Sequence, residues 1–125
     1  MNIFISYTTR DAFINIDLLK NIENEYSRLG NIYIDLLHNR ATNKQHHVEK
    51  MLLQADSLLL IDSKSINKSK WVQWELTKAK NHFIPIITAK ATSDKNETLH
   101  NIKLALTKNF STLKYYNRKS ANTII

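Results

Sequence analysis

The chain has 125 residues, a length that fits one domain, and its 42% hydrophobic residues are enough for one core. The absence of cysteine excludes disulfide and thiolate chemistry. The single glycine excludes P-loops and dinucleotide fingerprints, which need several glycines close together. The formal charge of +7 favours anionic partners, although lysines also serve as solvated helix faces.

No basic leader or small-residue cleavage site follows Met1-Asn2, and no apolar run approaches the roughly 20 residues that cross a bilayer. The expectation is a cytoplasmic protein with no membrane partner. In chain order, a first β-rich run covers residues 2–7. A helical pattern over 13–29 follows, carrying Ile14, Leu18, Leu19, Ile22, Tyr26 and Leu29, and Gly30 suits its C-cap. A second run covers 31–36. Val48, Met51, Leu52 and Ala55 form a short helical stripe, and a third run covers 57–62. Val72, Leu76, Ala79 and Phe83 form the next stripe, and a fourth run covers 83–88, where Pro85 points to an irregular or edge strand. Leu99, Ile102, Leu106 and Phe110 form a weaker stripe, and a fifth run covers 111–115. Residues 117–125 form a polar tail, expected to be loose and to lie outside a single domain over 1–116.

Most of the runs are continuous rather than alternating, as in strands buried on both faces. Strand alternating with helix predicts a flavodoxin-like, three-layer α/β/α fold. Its parallel sheet has five strands in the order 2-1-3-4-5. Ligands of such a sheet bind at the switch point between strands 1 and 3, here near residues 6–10 and 62–65.

The sequence Trp71-Val72-Gln73-Trp74-Glu75 opens the helix beside that point. At about 100° per residue, Val72, Leu76 and Ala79 face the core, with Glu75 at its margin and about 40° from Trp71. Trp74 points away, toward another surface. Glu75 is then either a first-turn acid favoured by the helix dipole or a partly buried carboxylate able to do chemistry. Tyr7, Thr8 and Arg10 lie just past strand 1, where hydroxyls, a guanidinium and a helix N-terminus can hold a pyrophosphate. Asp35 ends strand 2 and can reach a ribose or cap a loop, and Ser63 follows strand 3 and can contact ligand or cap a turn. Ser6 has no evident His–Asp relay and is not read as a nucleophile. His46 and His47 are adjacent and face different sides of a helix, so no metal is expected.

Four segments resemble Toll/interleukin-1 receptor (TIR) domains in order along the chain. Phe4-Ile5-Ser6-Tyr7 with Asp11 looks like the family's first box, and Tyr33-Ile34-Asp35 like its second strand. Residues 55–63 resemble its third strand, and Ser69-Lys70-Trp71-Val72-Gln73-Trp74-Glu75-Leu76 its Ser-x-Trp-x-x-x-Glu-Leu segment. The Trp-Val-x-Trp-Glu form is most similar to TIR-like proteins of bacterial Thoeris anti-phage systems. Residues 36–45 depart from the family in lacking its Pro-Gly loop. The resemblance implies an NAD glycohydrolase or cyclase that cuts the nicotinamide–ribose bond and makes an ADP-ribose-type signal. It places the catalytic role on Glu75 and the accompanying Trp on Trp71, with Tyr7, Thr8, Arg10, Asp35 and Ser63 as candidate substrate contacts. NAD is then the substrate, with no cofactor or metal. Other implied partners are further TIR domains and a separate effector that senses the product; nucleic acid is not expected. A non-catalytic interaction module, a basic nucleic-acid-associated domain and a deoxyribosyltransferase-like enzyme are the alternatives.

Overall fold

A computed structural model describes the backbone of residues 1–124 and the side chains of residues 1–109. The sheet is built from β1 (Asn2–Ser6), β2 (Asn31–Tyr33), β3 (Ser57–Asp62) and β4 (Ile86–Lys90). All pairings are parallel and the order is β2-β1-β3-β4. Five α-helices accompany them: α1 (Ile16–Tyr26), α2 (Asp35–His38), α3 (Lys44–Leu53), α4 (Lys70–Asn81) and α5 (Lys95–Ile124).

Successive side chains of a strand leave opposite faces. Ile3, Ile5, Leu59 and Ile61 therefore pack against Leu18, Leu19 and Ile22 of α1 and Ile102 and Leu106 of α5. Phe4 and Leu58 pack against Val48 and Leu52 of α3 and Ala79 of α4. Both faces are covered, which is why β1 and β3 read as continuous apolar runs. The three-layer architecture and the order of the first four strands match the expectation.

The fifth strand does not form. Residues 111–115 lie within α5, so the expected order 2-1-3-4-5 is corrected to 2-1-3-4. The chain's one glycine and one proline are elsewhere, so nothing in the sequence interrupts a helix that starts at Lys95. The expected tail, 117–125, falls beyond the residues whose side chains are described.

Three boundaries also move. Asn15 caps α1 by accepting from the Leu18 N–H at 3.0 Å, so the helix starts three residues later than its apolar pattern, though Ile14 is still buried. Gly30 ends the 3₁₀ turn Ser27–Leu29 that follows α1. It is required by a close approach: a Cβ there would stand 2.0 Å from the Met1 carbonyl oxygen, at φ +149°. Pro85 lies just before β4, on the outer strand of the sheet, and its carbonyl accepts from the Leu58 N–H at 2.9 Å.

Candidate active site

Helix α4 carries the central carboxylate. Ser69 caps it by accepting from the Val72 N–H at 3.2 Å, which fixes where the first turn begins. Val72 and Ala79 are buried, and Glu75, on the same side, is only 3% exposed. Its Oε1 accepts a hydrogen bond from Ser6 Oγ, at the end of β1, at 2.7 Å.

Glu75 opens on a cleft of about 280 Å³ between the ends of β1 and β2 and the start of α4. Ile5, Tyr7, Thr8 and Thr9 line it from β1 and the loop beyond, Asp35 and Leu36 from α2, and Ser69 and Trp71 from α4. None of these is cationic. Asp35 is held in place by bonds from the Tyr33 hydroxyl at 2.9 Å and the Asn39 amide at 2.7 Å. Tyr7 is fixed by its phenolic oxygen, which accepts from the Leu36 N–H at 2.9 Å.

Burial lifts the Glu75 carboxyl well above the usual carboxylate range. The Ser6 hydrogen bond opposes this, the Asp35 charge adds to it and a Trp71 hydrogen bond opposes it, leaving the carboxyl at about 8. Burial pushes the Tyr7 phenol up to about 12, with the Asp35 and Glu75 charges adding to the effect and the Leu36 bond opposing it. Tyr33 is raised by burial and by its bond to Asp35. The cleft is thus a desolvated pocket of negative potential with neutral phenols, suited to a positively charged or cation-developing group.

A larger depression of about 340 Å³ lies over β1 and β2 beside α3, lined by Tyr33, His38, His47 and Met51 among others. It holds no carboxylate, and size alone does not outweigh the chemistry at Glu75.

The structure gathers Tyr7, Thr8, Asp35, Trp71 and Glu75 around one cleft and leaves Arg10 and Ser63 out of it. Arg10 is exposed and lies six residues before α1, so the helix N-terminus expected beside it is not there. Ser63 lines a separate depression with Lys64, Asn67 and Lys90. Asp11 ties this loop to the one after β1: its carboxylate accepts from the Ser65 N–H at 2.8 Å and hydroxyl at 2.9 Å. The Ser63 hydroxyl and the Ser65 bonds hold the Asp11 carboxyl below its usual value. Asp35 begins α2 rather than ending a strand, because β2 stops at Tyr33.

Trp74 does not face a separate surface. Its ring stacks on Trp71, with centroids 5.3 Å apart and planes 24° apart, and Lys78 Nζ lies 5.9 Å from its centroid. Sequence reasoning missed Ser6 and Ser69 as members of the site. Ser69 carried a signal, a capping residue just before the helix that holds Glu75. Ser6 carried none, because its partner is 69 residues away.

Among the described residues no helix is long and apolar enough to cross a membrane. No curated protein matches the chain. The family model described as "Thoeris protein ThsB, TIR-like domain" matches residues 4–96, a span that holds every residue of the cleft. With that match over most of its length, and the four-stranded parallel sheet beneath it, the chain belongs to the family of Thoeris TIR-like domains.

Proposed function

We propose that this domain cleaves NAD at the nicotinamide–ribose bond and so generates an ADP-ribose-type signal in anti-phage defence. The observation that carries the reading is Glu75, buried and hydrogen-bonded, opening on an acidic cleft that has no cationic side chain among the described residues. At about 280 Å³ the cleft is slightly below the ~300–1,000 Å³ of whole drug-sized ligand sites. It suits the nicotinamide riboside end of the dinucleotide, with the diphosphate lying outside.

That end carries the pyridinium charge, which the Asp35 carboxylate attracts. Its approach favours the ionised form of Glu75, offsetting the burial that keeps the empty site protonated. The C1′–N bond then breaks, and its electron pair leaves with neutral nicotinamide. Positive charge develops on the ribose as an oxocarbenium ion, which the Glu75 carboxylate stabilises in a desolvated site. Water adds at C1′ and gives up a proton to form ADP-ribose, or a hydroxyl of the substrate adds instead, losing its proton, to form a cyclic product one water lighter. Trp71, flat and half exposed, is placed to pack against the departing ring. Tyr7 and Thr8 add hydroxyls to the lining, and Arg10 and Ser63 are left without a part. The product is expected to act on a separate effector.

The test is incubation of concentrated protein with NAD, followed by chromatography and mass spectrometry. Wild type is expected to release nicotinamide and Glu75→Gln to release none while keeping its circular dichroism spectrum. A variant as active as wild type, or a wild type that releases no nicotinamide even with lysate from phage-infected cells, would overturn the reading. A domain acting only as a non-catalytic interaction module would instead keep its partner binding in Glu75→Gln.

A further inference from the structure

Ser6 is the last residue of β1 and is fully buried. Its neighbours Ile5, Tyr7 and Thr8 line the cleft, but Ser6 does not. Among the described hydrogen bonds, its hydroxyl has one side-chain partner, Oε1 of Glu75 at 2.7 Å. No histidine or lysine bonds that hydroxyl to activate it as a nucleophile. The donor is placed rigidly: a serine side chain has one heavy-atom torsion, and the Ser6 backbone is pinned opposite Leu60 of β3. Glutamate has three torsions, and besides the Trp71 hydrogen bond from its own helix, the Ser6 hydroxyl anchors its carboxyl to the sheet.

We propose that Ser6 is a positioning residue for the NAD-cleaving reaction, its hydroxyl tethering one oxygen of Glu75 so that the other is presented to the ribose in the cleft. The inference rests on the functional reading above and deepens it. The tether acts twice. It restricts the carboxylate to one geometry, where a misplacement of about 1 Å costs on the order of 100-fold in rate. It also favours the charged form, since a hydrogen bond donated to a carboxylate stabilises the anion.

The experiment compares wild type, Ser6→Ala and Ser6→Cys by steady-state kinetics across pH, together with a carbon-13 NMR titration of the Glu75 side-chain carboxyl. Ser6→Ala is expected to lower kcat by about 10- to 100-fold with KM changed by less than about threefold. The ascending limb of its kcat/KM profile and the NMR midpoint of Glu75 should both move to higher pH. Ser6→Cys keeps the volume with a weaker donor and should fall between the two. A Ser6→Ala enzyme with wild-type kcat overturns the proposal, as does a loss of rate with the limb and the midpoint unmoved. The NMR arm needs no turnover. A wild type that fails to cleave NAD sinks the functional reading, whereas an unmoved midpoint sinks the role of Ser6 even in an active enzyme.

Discussion

At the scale of the residue, Glu75 sets function against stability. Its carboxyl titrates at about 8 in the folded chain and near 4.5 when unfolded, because the fold favours the neutral form. Below about pH 4.5 both states hold the proton and the group costs nothing. As pH rises through 8, the unfolded chain releases its proton first, so the folded state loses stability over that window. Glu75→Gln removes the titration and keeps the shape. Thermal melts from pH 4 to pH 9 should show the variant level with wild type at the acid end. Its advantage should widen with pH to a few kcal/mol at most near pH 8; curves that stay parallel would contradict the buried neutral acid. The neighbourhood of this residue was readable in part. Helical spacing placed Glu75 and Trp71 at the core margin, because both lie on one regular element. It misplaced Trp74, because a ring with two torsions can swing back along the helix to meet its neighbour. It gave no hint of Tyr33 donating to Asp35, which depends on β2 ending where it does.

At the scale of the element, the end of α4 shows how a chain with one glycine manages its turns. The Ile84 N–H reaches the Ala79 carbonyl at 2.9 Å and the Phe83 N–H reaches the Lys80 carbonyl at 3.2 Å, the paired bonds of a Schellman cap. That cap wants glycine at the left-handed position, and here Phe83 occupies it at φ 58° with 92% of its surface exposed. Phe83 therefore leaves the apolar stripe that its spacing assigned it to. Phe83→Gly relieves the backbone without emptying any core. Urea denaturation should show a gain of about 1 kcal/mol; an equal loss would mean that the exposed ring is held by something other than this fold. The missing fifth strand has a related origin. Residues 111–115 are β-rich in composition, but strand propensity is a weak preference that pairing and packing must supply. A helix already under way, with Thr98, Ile102 and Leu106 buried, continues unless a breaker stops it.

At the scale of the whole molecule, the sequence made the layers and strand order plain, since runs buried on both faces alternate with amphipathic helices. It made the cleft only half visible, because residues past β1 and β2 line it while those past β3 are bonded to Asp11 and do not. Charge is divided in the same way. The chain carries +7 overall, while the cleft itself is lined by carboxylates and no cations. On the proposed function, the cleft suits the cationic ring of NAD, and the net positive charge of the chain favours its phosphates. Capture should therefore weaken with salt more than chemistry does. Between about 20 and 200 mM salt, kcat/KM for NAD is expected to fall several-fold while kcat holds. A kcat/KM indifferent to salt would mean that the surplus lysines do not face the approach to the cleft.

The Trp71–Trp74 stack has a practical consequence. These are the chain's only two tryptophans, and one of them is a wall of the cleft. Nearly all of the protein's intrinsic fluorescence above 300 nm thus originates at a single spot, beside Glu75. Pyridinium rings accept an electron from excited indole and darken it, whereas released nicotinamide carries no such charge. Under the proposed function, tryptophan emission is expected to report occupancy of the cleft and loss of the cation in unlabelled protein.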